Sequence, residues 1–355
     1  MSRRPHDRPS REPRERGGLA LPLTLLGVGA VLALVPWPTP WVEAAFARGL
    51  FPVTSHILAP VVGAVPFSLT GALAATLVAA ALATLLTPRG RASFGRRLLR
   101  RWLPWTLAVL VLGFSLVWGL AYRRDTLAAL LAIPATAPTQ QQVSVAQREL
   151  LAVLVGAAGS SPPGPADVAA ASRCVAAEVA RVTGVRVAVP RRVKLLPPGT
   201  LLRAGFAGVT SPWLLEPHVD AGLPPAARLA TATHELTHTA GFAREADTDA
   251  LAVLAGIRCQ DPAVRYALAL HALAGLAGGM PPRASAALLT SLPPRARQDL
   301  RALDAAAVRY RVAWLQRAAT AAYGSYLRSR GVRAGMADYG RAITLVVQAL
   351  SHGRR

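Results

Sequence analysis

The chain has 355 residues, of which 52% are hydrophobic and only 16% charged, and its mean hydropathy is +0.35. That is too apolar for an ordinary soluble domain and points to membrane segments. A formal charge of +22 would suit nucleic acid, but no zinc-finger spacing, glycine-rich phosphate loop or aromatic-basic interleaving accompanies it, so no nucleic-acid partner is expected.

Residues 1–17 are polar and rich in Pro and Arg, and are expected to form a disordered, basic, cytoplasmic tail. Gly18–Pro36 carries no charge and is just long enough to span a bilayer. A cleaved signal peptide is the rival reading. However, PWPTPWVEAAF has no clean small-x-small cleavage site and places Trp37 and Trp41 at the head groups. Val53–Leu86 is also uncharged, but Pro60 and Pro66 interrupt its first half. The second span is therefore predicted at 67–86, with SHILAPVVGAVP as a re-entrant or interfacial piece. Six arginines follow in Arg89–Arg101, and the third span is predicted at 102–121.

Arginine clusters mark cytoplasmic loops. The N-terminus and the 89–101 loop then lie inside, and everything after Tyr122 lies outside, which Arg123 and Arg124 oppose only mildly. The expectation is a multi-pass protein of the bacterial cytoplasmic membrane, with the lipid bilayer as partner. Residues 18–124 form its membrane domain and 125–355 an extracytoplasmic domain.

In that domain the pattern predicts helices over Ser144–Gly156 and Ala166–Gly184. Val185–Leu196 alternates like a strand, although Pro190 demotes it to an edge strand or two short pieces. A second short strand is predicted through Gly205–Thr210, then a turn-rich stretch, SPWLLEPHVDAGLP, and from Asp261 onward helices. Cys174 and Cys259 both fall outside, where a disulfide is permitted but two buried thiols are equally allowed.

The centre of the domain is ATATHELTHTAGFAREADTDALA, Ala230–Ala252. His234 and His238 are four apart, so on a helix both imidazoles reach one metal ion, and Glu235 is placed as general base on a water. On one unbroken helix Glu245 would lie roughly 10 Å along the axis from His238, too far to share an ion with ligand distances of about 2 Å. The chain must therefore turn at Gly241-Phe242, with a second helix starting near Ala243. Glu245 is then the third ligand and Asp249 orients a histidine, with Asp247 as the competing ligand.

These motifs resemble a bacterial membrane-protein family catalogued as domain of unknown function 3810. The likeness rests on HELTHTAGFAREADTDALAVLAGIRCQDPAVRYALAL, on PFSLTG at Pro66–Gly71, on VWGLAYRR at Val117–Arg124 and on GVRAGMADYGRAITLVV at Gly331–Val347. It covers about residues 20–350. The family pattern has an acidic residue at Asp247, but asparagine where this chain has Asp249 and Ala121. The metal motif also resembles gluzincin peptidases, which implies metal ligands at His234, His238 and Glu245, a base at Glu235 and a supporting aspartate at Asp249.

The fold class expected is an α-helical membrane protein with about three N-terminal spans and a mainly helical α+β, zincin-like domain with a small edge-strand sheet. The function expected is zinc-dependent hydrolysis of peptide bonds in envelope or membrane proteins, with one zinc ion. Tyr323, Tyr326, Tyr339, His218 and His271 are the candidates for oxyanion support, and an edge strand could bind an extended substrate. The rival readings are a non-enzymatic assembly or signalling protein with a structural metal, and an envelope amidase.

Overall fold

The computed structural model describes residues 19–88, 92, 94–95, 98–134, 136–332 and 339–352. The basic tail predicted at 1–17, and residues 89–91, 93 and 96–97 of the arginine loop, lie outside the described residues.

The apolar runs satisfy their own backbone groups as helices, as a segment crossing a membrane would have to. They are α1 (Ala20–Leu34), α2 (Thr39–Ala64), α3 (Leu69–Leu86) and α4 (Leu103–Val117). Among the described residues, only α2 and α3 are long and apolar enough to cross a membrane, by length and composition. The described residues thus hold two such helices, fewer than the three spans expected. The runs predicted at 18–36 and 102–121 give shorter apolar α-helices of 15 residues each, the second continuing directly from a π-helical stretch at Leu98–Trp102. Pro36 and Pro38 end the first of them.

The segment read as interfacial is instead the second half of α2. Pro60 sits inside it, and residues Val42–Leu50 form a π-helical stretch. A proline forfeits one helical hydrogen bond. Here a buried stripe of Val42, Phe46, Phe51, Ser55, Ala59 and Val62 offsets that loss.

The chain divides into two compact units, Met1–Val35 with Ala75–Leu116, and Pro36–Ala74 with Val117–Arg355. In the first, α1 and α4 approach closely. A Cβ on Gly29 would lie 2.8 Å from the Leu112 backbone nitrogen, and Ser115 Oγ donates to the Gly29 carbonyl at 3.0 Å. Small residues commonly permit such contacts between apolar helices.

The second unit is mostly helical, with one three-stranded sheet. After α5 (Leu127–Leu130), α6 (Gln140–Ala157) and α7 (Pro165–Thr183) come β1 (Lys194–Leu196), β2 (Gly208–Ser211) and β3 (Glu216–Asp220). The strand order is β1-β3-β2, with β1 parallel to β3 and β2 antiparallel to it. Only the last three residues of the strand predicted over 185–196 pair. The central strand β3 lies in the stretch read as turn-rich. It is buried throughout, yet three of its residues are Glu216, His218 and Asp220, so hydropathy alone gives no strand signal.

Then follow α8 (Pro225–Thr239), α9 (Glu245–Ile257), α10 (Pro262–Gly278), α11 (Pro282–Ser291), α12 (Pro294–Tyr310), α13 (Ala313–Ser329) and α14 (Tyr339–His352). Ala232 of α8 packs with Val219 of β3 and Leu223. Helix α9 is buried almost all round, and a disulfide joins Cys174 of α7 to Cys259 just beyond α9.

The sheet also holds the turn between α2 and α3. Lys194 Nζ donates to the Val62 carbonyl at 2.7 Å and also to that of Val65. Glu216 accepts from the Leu69 and Thr70 backbone N–H groups at 2.8 Å each, and Gly71 N–H donates to Ser68 Oγ at 2.9 Å. A cation thus meets one helix's C-terminal end and an anion the next helix's N-terminal end, as the peptide dipoles favour. The PFSLTG motif supplies that turn.

Candidate metal centre

Helix α8 carries His234 and His238 one turn apart, so both rings project from one face. It stops after Thr239, and Gly241 turns the chain with φ +94°. A Cβ there would meet the Phe51 ring at 2.8 Å and Arg124 Nη1 at 3.0 Å, so glycine is required for both space and conformation. Arg124 fixes the turn. Its Nη1 donates to the Gly241 carbonyl at 2.8 Å, its Nε donates to Glu43 at 3.3 Å, and its guanidinium lies 4.9 Å from the Phe242 ring centre. The WGLAYRR motif thereby serves the loop between the two helices, and Trp118 from the same motif packs its ring 5.5 Å from that of His238.

The turn brings Glu245, the first residue of α9, back to the histidines. Glu245 Oε2 lies 3.2 Å from His234 Nε2 and 3.4 Å from His238 Nε2, and the two nitrogens are 3.2 Å apart. Ligand atoms about 2.0–2.1 Å from a tetrahedral ion are about 3.3 Å apart, so this spacing fits a divalent metal. The imidazoles are held for that role. His238 Nδ1 donates to the Phe242 carbonyl at 2.7 Å, and since a carbonyl can only accept, Nε2 keeps its lone pair for the centre. His234 Nδ1 lies 3.2 Å from Asp249 Oδ1, which also receives His271 Nε2 at 2.9 Å. The second oxygen of Glu245 accepts from the Tyr323 hydroxyl.

Of the predicted residues, His234, His238 and Glu245 converge, their ligand atoms all within 4.8 Å of one another. Asp249 stands behind His234. Asp247 does not join them; its carboxylate lies 3.6 Å from Arg244 Nη1. Glu235 is buried, and its Oε2 accepts from Thr210 Oγ1 of β2 at 2.7 Å. A Cβ on Gly208 would lie 2.6 Å from Glu235 Oε1, so the edge strand passes directly against the carboxylate.

Electrostatics divides the three carboxyls. Burial raises the pKa of Glu235, the histidines offsetting only part of it. Burial acts the same way on Glu245 and Asp249, but the neighbouring histidines outweigh it and hold both well below the usual range.

The oxyanion candidates separate on geometry. The Tyr323 hydroxyl is engaged with Glu245, and Tyr326 stacks on Tyr323 at 5.8 Å. His271 is held by Asp249. His218 lies at the α2–α3 turn, with Nε2 2.9 Å from Ser68 Oγ. The side chain of Tyr339 lies outside what is described. Thr210 and the Phe242 carbonyl were not legible in the sequence, since neither a lone threonine nor a carbonyl carries a pattern. A cavity of about 710 Å³ opens beside His234 and Glu235.

A family model described as "Protein of unknown function (DUF3810)" matches residues 46–347, from within α2 into α14. The chain belongs to this family. The DUF3810 region takes in α3, the sheet, α8 and α9 with the candidate ligands, and Tyr323, and leaves out α1. No curated protein and no solved structure matches the chain.

Proposed function

We propose that this chain is a membrane-anchored, zinc-dependent metallopeptidase of the gluzincin kind, hydrolysing peptide bonds of envelope or membrane proteins. One observation carries the reading. Two imidazole nitrogens and one carboxylate oxygen converge on a point, and the buried carboxylate of Glu235 shares the adjoining cavity. Three protein ligands rather than four are what catalytic zinc sites use.

When bound, zinc supplies Lewis acidity and lowers the pKa of a water. The chain's residues do the rest. Glu235 takes the proton of the attacking water and returns it to the leaving amine nitrogen. A carboxylate at that position can both accept the proton and donate it. Thr210, donating to Oε2, fixes the orientation of that carboxylate. An extended substrate can lie along the outer edge of β2, which among the described residues pairs only with β3.

The arginine clusters favour a cytoplasmic N-terminus, with the metal domain on the outer face of the bacterial membrane. The Cys174–Cys259 bond supports that side, because disulfides persist in oxidising compartments.

The test is Glu235→Gln beside His234→Ala. Glu235→Gln is expected to keep about one zinc per chain by mass spectrometry while cleavage of envelope proteins falls roughly 10²–10⁴-fold. His234→Ala is expected to lose the metal. Unchanged cleavage in membranes carrying Glu235→Gln would end the peptidase reading.

A further inference from the structure

We infer that the cavity beside the metal centre selects substrates by a bulky, uncharged apolar side chain, and that Gly275 on α10 sets its depth. This rests on the peptidase reading for what is bound, and on the cavity itself for which side chain is accepted.

The ionisable groups lining the cavity are His234, Glu235, Asp249 and His271. All belong to the metal centre or are tied to it, Asp249 being shared between the two histidines. Among the described residues, no lysine or arginine lines the cavity. An anionic side chain entering it would meet two carboxylates and no lysine or arginine, and a cationic one would meet carboxylates already engaged, Glu235 by Thr210 and Asp249 by the two histidines. The remaining walls are small or apolar, with Val253 from α9, Ala272 and Ala274 from α10, and Ile343 and Val346 from α14. A volume of about 710 Å³ is within the range of pockets that enclose whole small ligands, so a large side chain fits.

Gly275 is the informative position. It lies inside α10, one turn after His271, where glycine weakens a helix relative to alanine. Close packing does not explain it, since a Cβ built there meets nothing within 4 Å. What the missing side chain provides is open volume, and Gly278, where a Cβ likewise meets nothing, extends it one turn on.

The experiment uses full-length, zinc-loaded protein in nanodiscs carrying Glu235→Gln, so that peptides bind without turnover. Fluorescent hexapeptides differing at one residue (Phe, Leu, Ala, Asp or Lys) are titrated by anisotropy against empty-nanodisc blanks. Phe and Leu peptides are expected to bind at least tenfold tighter than Asp and Lys peptides. Gly275→Leu is expected to reduce the Phe-over-Ala ratio at least fivefold, and Gly275→Ala to preserve it. If Gly275→Leu does not fold, Gly340→Leu at the cavity wall, where a Cβ also meets nothing, reads the same ratio. Equal binding of all five peptides, or a ratio unmoved by the leucine, overturns the inference. An apolar preference that shifts as expected, while protein with Glu235 intact cuts none of the peptides, upholds this selectivity and removes the peptidase reading.

Discussion

Glu245 is specified from both sides. One oxygen faces the two histidines and the other accepts from Tyr323, which comes from α13, 78 residues further along the chain. Tyr323→Phe removes that donor without changing the ring. Partners of this kind affect metal affinity by about 10–100-fold, and a loss of that size is expected in chelator competition, with the fold retained. No change would mean that the hydroxyl does not hold the ligand. A second residue-scale prediction concerns Asp220. Burial pushes its carboxyl up, but N–H donors from Gly199, Gly222, Leu202 and Leu201 outweigh this and hold it below its ordinary 3.8. A depressed folded-state pKa gives stability that is present above the unfolded value and lost as pH falls through the folded one. Asp220→Asn should therefore cost about 1–3 kcal/mol at pH 7, with the gap to wild type narrowing below about pH 4. Thermal unfolding at several pH values in detergent checks it. At this scale His234, Glu235 and His238 were legible because their relation is one helical turn. The bonds from Tyr323, expected only as a candidate for oxyanion support, to Glu245 and from Thr210 to Glu235 were not, since the chain brings these donors in from 78 and 25 residues away.

The helices and strands show the same division. The break between α8 and α9 follows from rise per residue alone, and the structure places it at Gly241. The sheet did not follow. Its central strand carries Glu216, His218 and Asp220 inward, each satisfied by a partner supplied by another element or loop. Helix α2 was misread for a related reason: Pro60 looks like a break until the buried stripe beside it is known, whereas Pro66 does lie in the turn that follows the helix. The Lys194–Glu216 pair, 4.0 Å apart and almost fully buried, holds the ends of α2 and α3. Removing one member of a buried pair strands the other, at about 3–5 kcal/mol. Glu216→Ala is expected to lose that much in thermal or denaturant unfolding. A loss under about 1 kcal/mol, the size of an exposed pair, would show that the turn is not held this way.

For the whole molecule, the apolar composition, the +22 charge and the two cysteines form one set of constraints. The Cys174–Cys259 bond closes a separation of 85 residues, for which loop closure predicts about 4–5 kcal/mol of stabilisation. Reduction, or Cys174→Ser with Cys259→Ser, should lower the unfolding midpoint accordingly. In intact cells the wild-type cysteines should resist maleimide until reduced. Free thiols in both would contradict the extracytoplasmic placement, as would an inactive alkaline phosphatase fused at the C-terminus. By itself the sequence determined what is local and periodic: the apolar runs, the two candidate ligand histidines one helical turn apart, the need for a reversal before Glu245 if it is to join them, and the family likeness. Tertiary structure decided which apolar helices are long enough to cross a membrane, that Asp247 turns to Arg244, and where the buried strand lies. It also decided what supports each ligand and how much open space adjoins them. Those depend on contacts between distant segments, and helical or strand periodicity carries no record of such contacts.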